Sequence, residues 1–272
     1  MKTVADALTT ARTCGVDRLD AHLLLAHVMK KSRSWLLAND DAGLNEEQQQ
    51  SMRSFIDRRA SGEPVAYLVG EKEFYGLTLR VSPAVLVPRP DTETLVDWAL
   101  ELMRSSSTLP RVLDMGTGSG AIALALKHSL PSAHITALDA SAEALKVATD
   151  NARQLRLDVQ FLLSDWWERV MEQRFDLIVS NPPYIAGADA HLAALQHEPQ
   201  MALTPGGDGL GALRHIVAGA PAHLNNEGWL LLEHGHDQAR AVAAMLVEHG
   251  FGSVTTRHDL AGNPRCTGGR RG

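Results

Sequence analysis

Cysteine is nearly missing from this 272-residue chain. Cys14 and Cys266 are the only two, too far apart and too few for a disulfide framework or a zinc site. Two reduced thiols fit a cytoplasmic protein. Aromatic residues make up only 5% of the chain. No apolar run reaches the length of a membrane span, and the start, Met1-Lys2-Thr3-Val4-Ala5-Asp6, lacks the apolar core of a signal peptide. A basic excess is missing too. The formal net charge is -6, which argues against holding duplex DNA by broad phosphate neutralisation, although a local basic patch is compatible with it. A cytoplasmic protein with no membrane attachment and no direct nucleic-acid requirement is therefore expected. At this length, one large domain plus a smaller one is expected.

Residues 1 to about 70 read as helical. Leu19, Leu23 and Leu24 with Ala26, His27 and Val28 predict an apolar helix face. Ser32 or Ser34 can cap a short piece containing Trp35-Leu36-Leu37. Asn45 followed by Glu46, Glu47 and Gln48 predicts a helix start, with acids favoured by the positive end of the helix dipole; this helix runs to about residue 60. Residues 74–81 read as a strand pair. After Val87-Pro88-Arg89-Pro90, Asp91 or Thr92 can cap a helix through Leu95, Val96, Trp98 and Leu102.

From residue 111 strands and helices alternate. Strands are expected at 111–115, 134–139, 159–165, 175–181, 228–233 and 252–260. Cys266 to Arg271 forms either a short last strand or a frayed tail. Such alternation predicts a parallel, doubly wound sheet. The long Gly- and Pro-bearing stretch 185–209 exceeds an ordinary turn, a length usual for functional or disordered loops.

Four strand ends carry chemistry. The first opens into Gly116-Thr117-Gly118-Ser119-Gly120, whose glycines permit positive φ and close approach of a ligand to the backbone. The spacing departs from the G-x-G-x-x-G dinucleotide fingerprint. Asp139 ends the second strand, where a carboxylate can accept bonds from ribose hydroxyls. At the third end, Asp165 or a backbone N–H could meet the polar edge of an adenine, with Trp166 against its face. Asn181-Pro182-Pro183-Tyr184 ends the fourth. Consecutive prolines stop the strand and stiffen the backbone. Asn181 offers a side-chain oxygen, and Pro182 a carbonyl without a ladder partner, so a planar –NH2 group suits the site. Plain structural roles compete: capping for Asp139, core packing for Trp166 and Tyr184.

Asp114-Met115-Gly116-Thr117-Gly118-Ser119-Gly120 resembles motif I of the class I S-adenosylmethionine-dependent methyltransferases. Asn-Pro-Pro-Tyr is similar to the signature of those that methylate planar nitrogens. Gly62-Glu63-Pro64-Val65-Ala66-Tyr67-Leu68, Glu73-Phe74-Tyr75-Gly76, Val87-Pro88-Arg89-Pro90-Asp91-Thr92-Glu93, Ser164-Asp165-Trp166 and Leu232-Glu233-His234-Gly235 follow in order. Together they resemble the bacterial protein-(glutamine-N5) methyltransferases acting on peptide chain release factors, over essentially the whole chain. Met115, Ser119 and the doubled Trp166-Trp167 are the departures.

The resemblance implies an α/β fold with a doubly wound, mostly parallel seven-stranded Rossmann-like sheet and a small N-terminal helical bundle joined by a β-hairpin. It implies a helical docking domain over 1–72, a hairpin linker over 73–90 and a methyltransferase domain over 91–272. The implied cofactor is S-adenosylmethionine, leaving as S-adenosylhomocysteine, held by Gly116, Thr117, Gly118, Ser119, Gly120, Asp139, Asp165, Trp166 and Asn181. Asn181, Pro182, Pro183 and Tyr184 would receive the glutamine of a class 1 release factor's Gly-Gly-Gln loop. Asn181, Pro182 and Tyr184 would act in catalysis, Tyr184 stacking on or flanking the amide, with no metal. A monomer is expected.

Rival readings are adenine-N6 methylation of a flipped base, glutamine methylation of a ribosomal protein, and a non-enzymatic adenosine-binding module. Glu233, His234 and His236 lack a usual metal-ligand spacing. Arg265, Arg270 and Arg271 read as a solvated basic tail.

Overall fold

The structure, a computed structural model, describes residues 1–104 and 109–272. The chain divides into two units, Met1–Glu71 and Lys72–Gly272.

The first unit holds five helices: α1 (Val4–Thr13), α2 (Arg18–Met29), α3 (Arg33–Ala38), α4 (Glu46–Ala60) and α5 (Val65–Val69). Capping chemistry sets their starts. Thr3 and Asp6 form a reciprocal capping box at α1, as do Asn45 and Gln48 at α4, each satisfying donors that a helix start otherwise leaves unpaired. Of the two candidate serines, Ser32 caps α3, accepting from the Trp35 N–H at 3.1 Å. The buried face of α2 differs from expectation. Ala21, His22, Leu24 and Leu25 turn inward, whereas Leu19 and Leu23 are exposed. The inward residues follow the i, i+3, i+4 spacing of one helix face, and Leu19 and Leu23 lie off it. Val4, Ala7, Ala11, Leu36, Met52 and Ile56 complete this core.

The second unit begins with the hairpin of β1 (Glu71–Phe74) and β2 (Leu77–Arg80), followed by a 3-10 turn over Pro90–Thr92 and α6 (Glu93–Arg104). Then come β3 (Arg111–Met115), α7 (Ala121–Ser129), β4 (His134–Asp139), α8 (Ala142–Leu155), β5 (Gln160–Leu163) and β6 (Phe175–Ser180). The chain continues through α9 (Gln200–Leu203), α10 (Gly211–His223), β7 (Leu224–Glu233), α11 (Ala239–Glu248), β8 (Phe251–His258) and β9 (Pro264–Arg271). The stretch 73–90, expected as a linker, packs into this unit. Phe74, Leu77 and Leu79 enter its core, and the buried Asn151 of α8 bonds both backbone groups of Arg80 as well as the Ser119 carbonyl.

Seven strands form one sheet in the order β5-β4-β3-β6-β7-β9-β8. The first five are parallel, and β9 runs antiparallel to β7 and β8. The doubly wound, mostly parallel sheet therefore forms as expected. Alternate side chains go to opposite faces, the period of a strand. Val112, Leu177 and Val179 pack with α6 and α7, while Leu113 and Ile178 pack with α10 and α11.

The tail is a full strand inserted between β7 and β8, and its arginines are not a solvated patch. Arg265 is largely buried and pairs with Asp91 at 3.1 Å and Asp259 at 3.0 Å. Arg270 pairs with Glu227, and Arg271 donates to the Leu224 carbonyl.

The long stretch after Tyr184 folds back on its own start. Ile185 N–H donates to Leu203 O and Gly187 N–H to Gly207 O, both at 3.0 Å. Gly209 closes the loop at φ +79°, where a Cβ would sit 2.3 Å from the Tyr184 carbonyl oxygen. Gly209→Ala therefore combines left-handed strain with a clash against backbone. It should destabilise this unit by about 2–4 kcal/mol, read as a lowered denaturant midpoint. An unchanged midpoint would mean that the loop does not close this tightly.

Candidate active site

The chain steps outward from β3 to β4 and β5 on one side, and from β6 to β7 on the other. The switch point lies between β3 and β6, where sheets of this kind open a crevice at the strand carboxyl ends. Met115 and Ser180 are register partners there, and Ser180 Oγ donates to the Met115 carbonyl at 2.7 Å. That bond levels the two strand ends, so Gly116 and Asn181 leave the sheet side by side.

The glycine loop is pinned from below. Gly116 and Thr117 N–H both donate to the Leu138 carbonyl at 2.9 Å. Thr117 Oγ1 donates to Asp114 Oδ2 at 2.7 Å. Asp114 is fully buried, and burial raises its carboxyl to about 7, opposed by its bonds from Thr117 and Ala123. Gly118 N–H donates to Asp139 Oδ2 and Ser141 N–H to Asp139 Oδ1, both at 2.9 Å. Asp139 thus grips the loop from the neighbouring strand. Burial pushes its carboxyl up, while the N–H groups of Ser141, Gly118 and Ala140 hold it down. Gly116 and Gly118 have φ of +73° and +54°, and a Cβ on either would meet nothing within 4 Å. A side chain at either place would be strained and would take up open space beside the loop.

A cavity of about 700 Å³ lies above these strand ends, walled by Gly116, Gly118, Asp139, Trp166, Asn181 and Pro183 among others. A second chamber of about 400 Å³ shares Gly116, Gly118 and Asn181 and adds Arg89, Thr92 and Ser119. Asn181 stands where the two meet.

The sequence-predicted residues separate. Trp166 lines the larger cavity, at φ +46°. Trp167 instead stacks on His223 with centroids 4.5 Å apart and rings 4° from parallel. Asp165 is exposed and lines neither chamber. The reason is local: β5 stops at Leu163, Ser164 is buried, and the left-handed turn at Trp166 carries its ring to the cavity and leaves Asp165 outside. Gly120 is buried behind the loop and lines neither chamber. Pro182 is buried as well. Tyr184 also lines neither chamber; its ring packs in the core beside α10 and α11, and its hydroxyl donates to Glu233 Oε1 at 3.3 Å.

Thr92 and Glu198 have roles here that the sequence did not suggest. Thr92 Oγ1 accepts from Asn181 Nδ2 at 3.3 Å. The buried Glu198 receives the Val87 N–H at 3.0 Å and pairs with Arg89, so it ties the loop after Tyr184 to the segment before α6. Pro199, Met201 and Ala202, just beyond Glu198, form one wall of the larger cavity. Neither Asp91 nor Thr92 is spent on capping α6, since Asp91 pairs with Arg265 and Thr92 faces Asn181.

Residues 2–70 match the PrmC N-terminal domain family and residues 95–210 the methyltransferase small domain family. The release factor glutamine methyltransferase of Coxiella burnetii is 44% identical over 100% of this chain and 97% of its own length. The chain belongs to the release factor glutamine methyltransferase family. That of Bordetella pertussis is 49% identical over 94% of this chain and 95% of its own. In fold, a methyltransferase from Pyrococcus furiosus superposes with a TM-score of 0.56 at 19% identity, covering 82% of this chain and 98% of that one.

As a member of the release factor glutamine methyltransferase family the chain is a methyltransferase, and Gly116, Gly118, Asp139, Trp166 and Asn181 come together at one crevice. Glu198 carries no local signal, while Thr92 reads as a helix cap and Glu233 is weighed only as a metal ligand. The motif Val87-Pro88-Arg89-Pro90-Asp91-Thr92-Glu93 is the hint that the segment before α6 does more than connect.

Proposed function

We propose that this crevice holds S-adenosylmethionine and that the chain methylates the N5 side-chain amide of the glutamine in the Gly-Gly-Gln loop of class 1 release factors, leaving S-adenosylhomocysteine. Residues 1–72 would dock the factor and residues 91–272 carry the chemistry, in the cytoplasm. The observation that carries this reading is the orientation of Asn181. Its Nδ2 is committed to Thr92, which leaves Oδ1 for an –NH2 donor in the cavity.

The residues present fit the methyl donor. Gly116 and Gly118 leave an open cradle that a Cβ would fill. Asp139 lines the cavity at the second strand end, where its remaining lone pairs suit ribose hydroxyls, and Trp166 offers an aromatic face. The smaller chamber, with Thr117, Ser119 and Arg89, suits the amino-acid end of the molecule. When bound, S-adenosylmethionine supplies a methyl group on a positively charged sulfur.

The protein must then place a poor nucleophile, because the amide lone pair is delocalised into its carbonyl. Asn181 Oδ1 and the Pro182 carbonyl would accept the two amide hydrogens and hold the nitrogen in line. These bonds strengthen as positive charge grows on nitrogen, so they favour the transition state over the ground state. The methylated nitrogen is acidic and loses a proton late, so no strong base is needed. Tyr184 lies behind the site, its hydroxyl on Glu233.

The test is a methyl-transfer assay with labelled S-adenosylmethionine. Release factor, its Gln→Ala variant, ribosomal proteins and adenine-containing DNA would each be offered. Label on the wild-type factor alone is expected. Label on DNA, or none on any factor, would overturn the assigned acceptor.

A further inference from the structure

Glu198 is a buried carboxylate that no step of the chemistry above uses. Its Oε2 accepts the Val87 N–H at 3.0 Å, and its Oε1 pairs with the Arg89 guanidinium. These partners stand 111 and 109 positions away in the chain. Val87 is itself buried, and a backbone donor out of reach of water needs an acceptor. Pro88 and Pro90 carry no N–H. This stretch therefore offers few groups by which it can be held, and Glu198 takes two of them.

The two sides that Glu198 joins are both cavity wall. Val85 and Leu86, just before Val87, line the larger cavity, and so do Pro199, Met201 and Ala202, just after Glu198. Arg89 lines the smaller chamber. Each side is stiff. A proline follows Val87 and another follows Arg89, which disfavours helical backbone at the residue before it, and Arg89 is extended at φ -103° and ψ 142°. Pro199 follows Glu198 at φ -61°. Behind it, the Leu203 carbonyl at the end of α9 accepts the Ile185 N–H, which anchors this side to the Asn-Pro-Pro-Tyr exit. Stiff segments carry a restraint along their length, so one carboxylate sets the spacing of the two walls.

We propose that Glu198 is a positioning residue for the methyl donor, fixing the spacing of the two cavity walls and the place of Arg89 in the smaller chamber before the donor binds. This rests on the reading that the chambers hold S-adenosylmethionine. A site ordered in advance loses no binding free energy to its own ordering. With Glu198 in place, an entering donor meets both walls at contact distance and leaves slowly. Without it, the donor itself must order the walls, and the loss falls on the dissociation rate. Both carboxylate oxygens are needed. Glutamine can still accept from Val87 but turns an NH2 toward Arg89, donor against donor. Alanine removes both contacts.

The experiment compares the full chain with Glu198→Gln and Glu198→Ala, first by hydrogen exchange without donor and then by donor binding. Exchange should rise over both 84–89 and 199–203 in Glu198→Ala, while β3 and β6 keep their protection. A rise on one side only, or on neither, overturns the proposal. Calorimetry and rapid-mixing fluorescence then give the affinity and rates for S-adenosylmethionine. Kd should rise roughly tenfold in Glu198→Gln and nearer roughly a hundredfold in Glu198→Ala, the range known for groups that orient other ligands. The change should lie in koff, with kon kept. In turnover, KM for the donor should rise while kcat at saturating donor is kept, a split that lost stability alone does not produce. An unchanged Kd beside a lowered melting midpoint would leave Glu198 a structural pair, and kon and koff rising together at constant Kd would make it a gate; either result overturns the proposal. If the wild type binds no S-adenosylmethionine, the reading of the chambers falls and takes the donor role with it. The exchange comparison needs no donor and still decides whether Glu198 joins the two walls.

Discussion

Asn181→Ala should lose ~10³–10⁴-fold in kcat while the affinity for S-adenosylmethionine changes little, by analogy with the loss of a single preorganised transition-state bond and with sites built around one polar group. The asymmetry comes from position. Asn181 stands where the two chambers meet, at the proposed reacting end, and its side chain bonds inward to Thr92. Alanine removes the accepting oxygen and leaves the Pro182 carbonyl alone to orient the nitrogen. The glycine loop and Asp139 remain bonded to each other, so the cradle for the donor persists. The check is single-turnover methyl transfer beside calorimetric titration of the cofactor. Near-normal turnover would remove Asn181 from the chemistry, and a large loss of affinity would recast it as a cofactor ligand.

For Asp139→Asn the expected pattern is the reverse: Kd for S-adenosylmethionine rises ~10²-fold, with kcat at saturating cofactor largely kept. Both carboxylate oxygens already accept backbone N–H groups, from Gly118 and Ser141. Asparagine sets an NH2 against one of those donors, which loosens the glycine loop, and it withdraws an acceptor from the ribose hydroxyls. Bonds to a charged acceptor are worth ~1.5–3 kcal/mol each, so losing about 3 kcal/mol corresponds to roughly two decades in Kd. An unchanged Kd would leave Asp139 as a strand-end cap and nothing more. Measured together, the two substitutions separate holding the donor from presenting the acceptor.

The alternation of apolar strands and amphipathic helices from residue 111 onward was legible because each signal is local. Val112 and Leu113, or Leu177 and Ile178, need only a pleat to reach opposite faces of the sheet. Helix caps were legible for the same reason, and Asn45 with Gln48 is visible as a pair three residues apart. Where a cap candidate failed, a distant residue had claimed it. Thr92 faces Asn181, 89 positions away, and Asp91 is taken by Arg265. The tail was ambiguous because a strand between β7 and β8 depends on both neighbours existing first.

The sequence by itself determined the parallel sheet, the glycine loop, the position of Asp139 and the rigid Asn-Pro-Pro-Tyr exit, since backbone period, proline geometry and glycine freedom act over a few residues. It also carried the family, through motifs in order along the whole chain. Only the tertiary structure decided which of two tryptophans turns to the cavity, that Tyr184 sits behind the site with its hydroxyl on Glu233, that Thr92 meets Asn181, and that Glu198 ties Val87 and Arg89 to the loop after Tyr184. Those outcomes depend on charges and hydroxyls brought together from separate elements. A buried carboxylate must be met by donors wherever the fold supplies them, and no local pattern encodes which donors those will be.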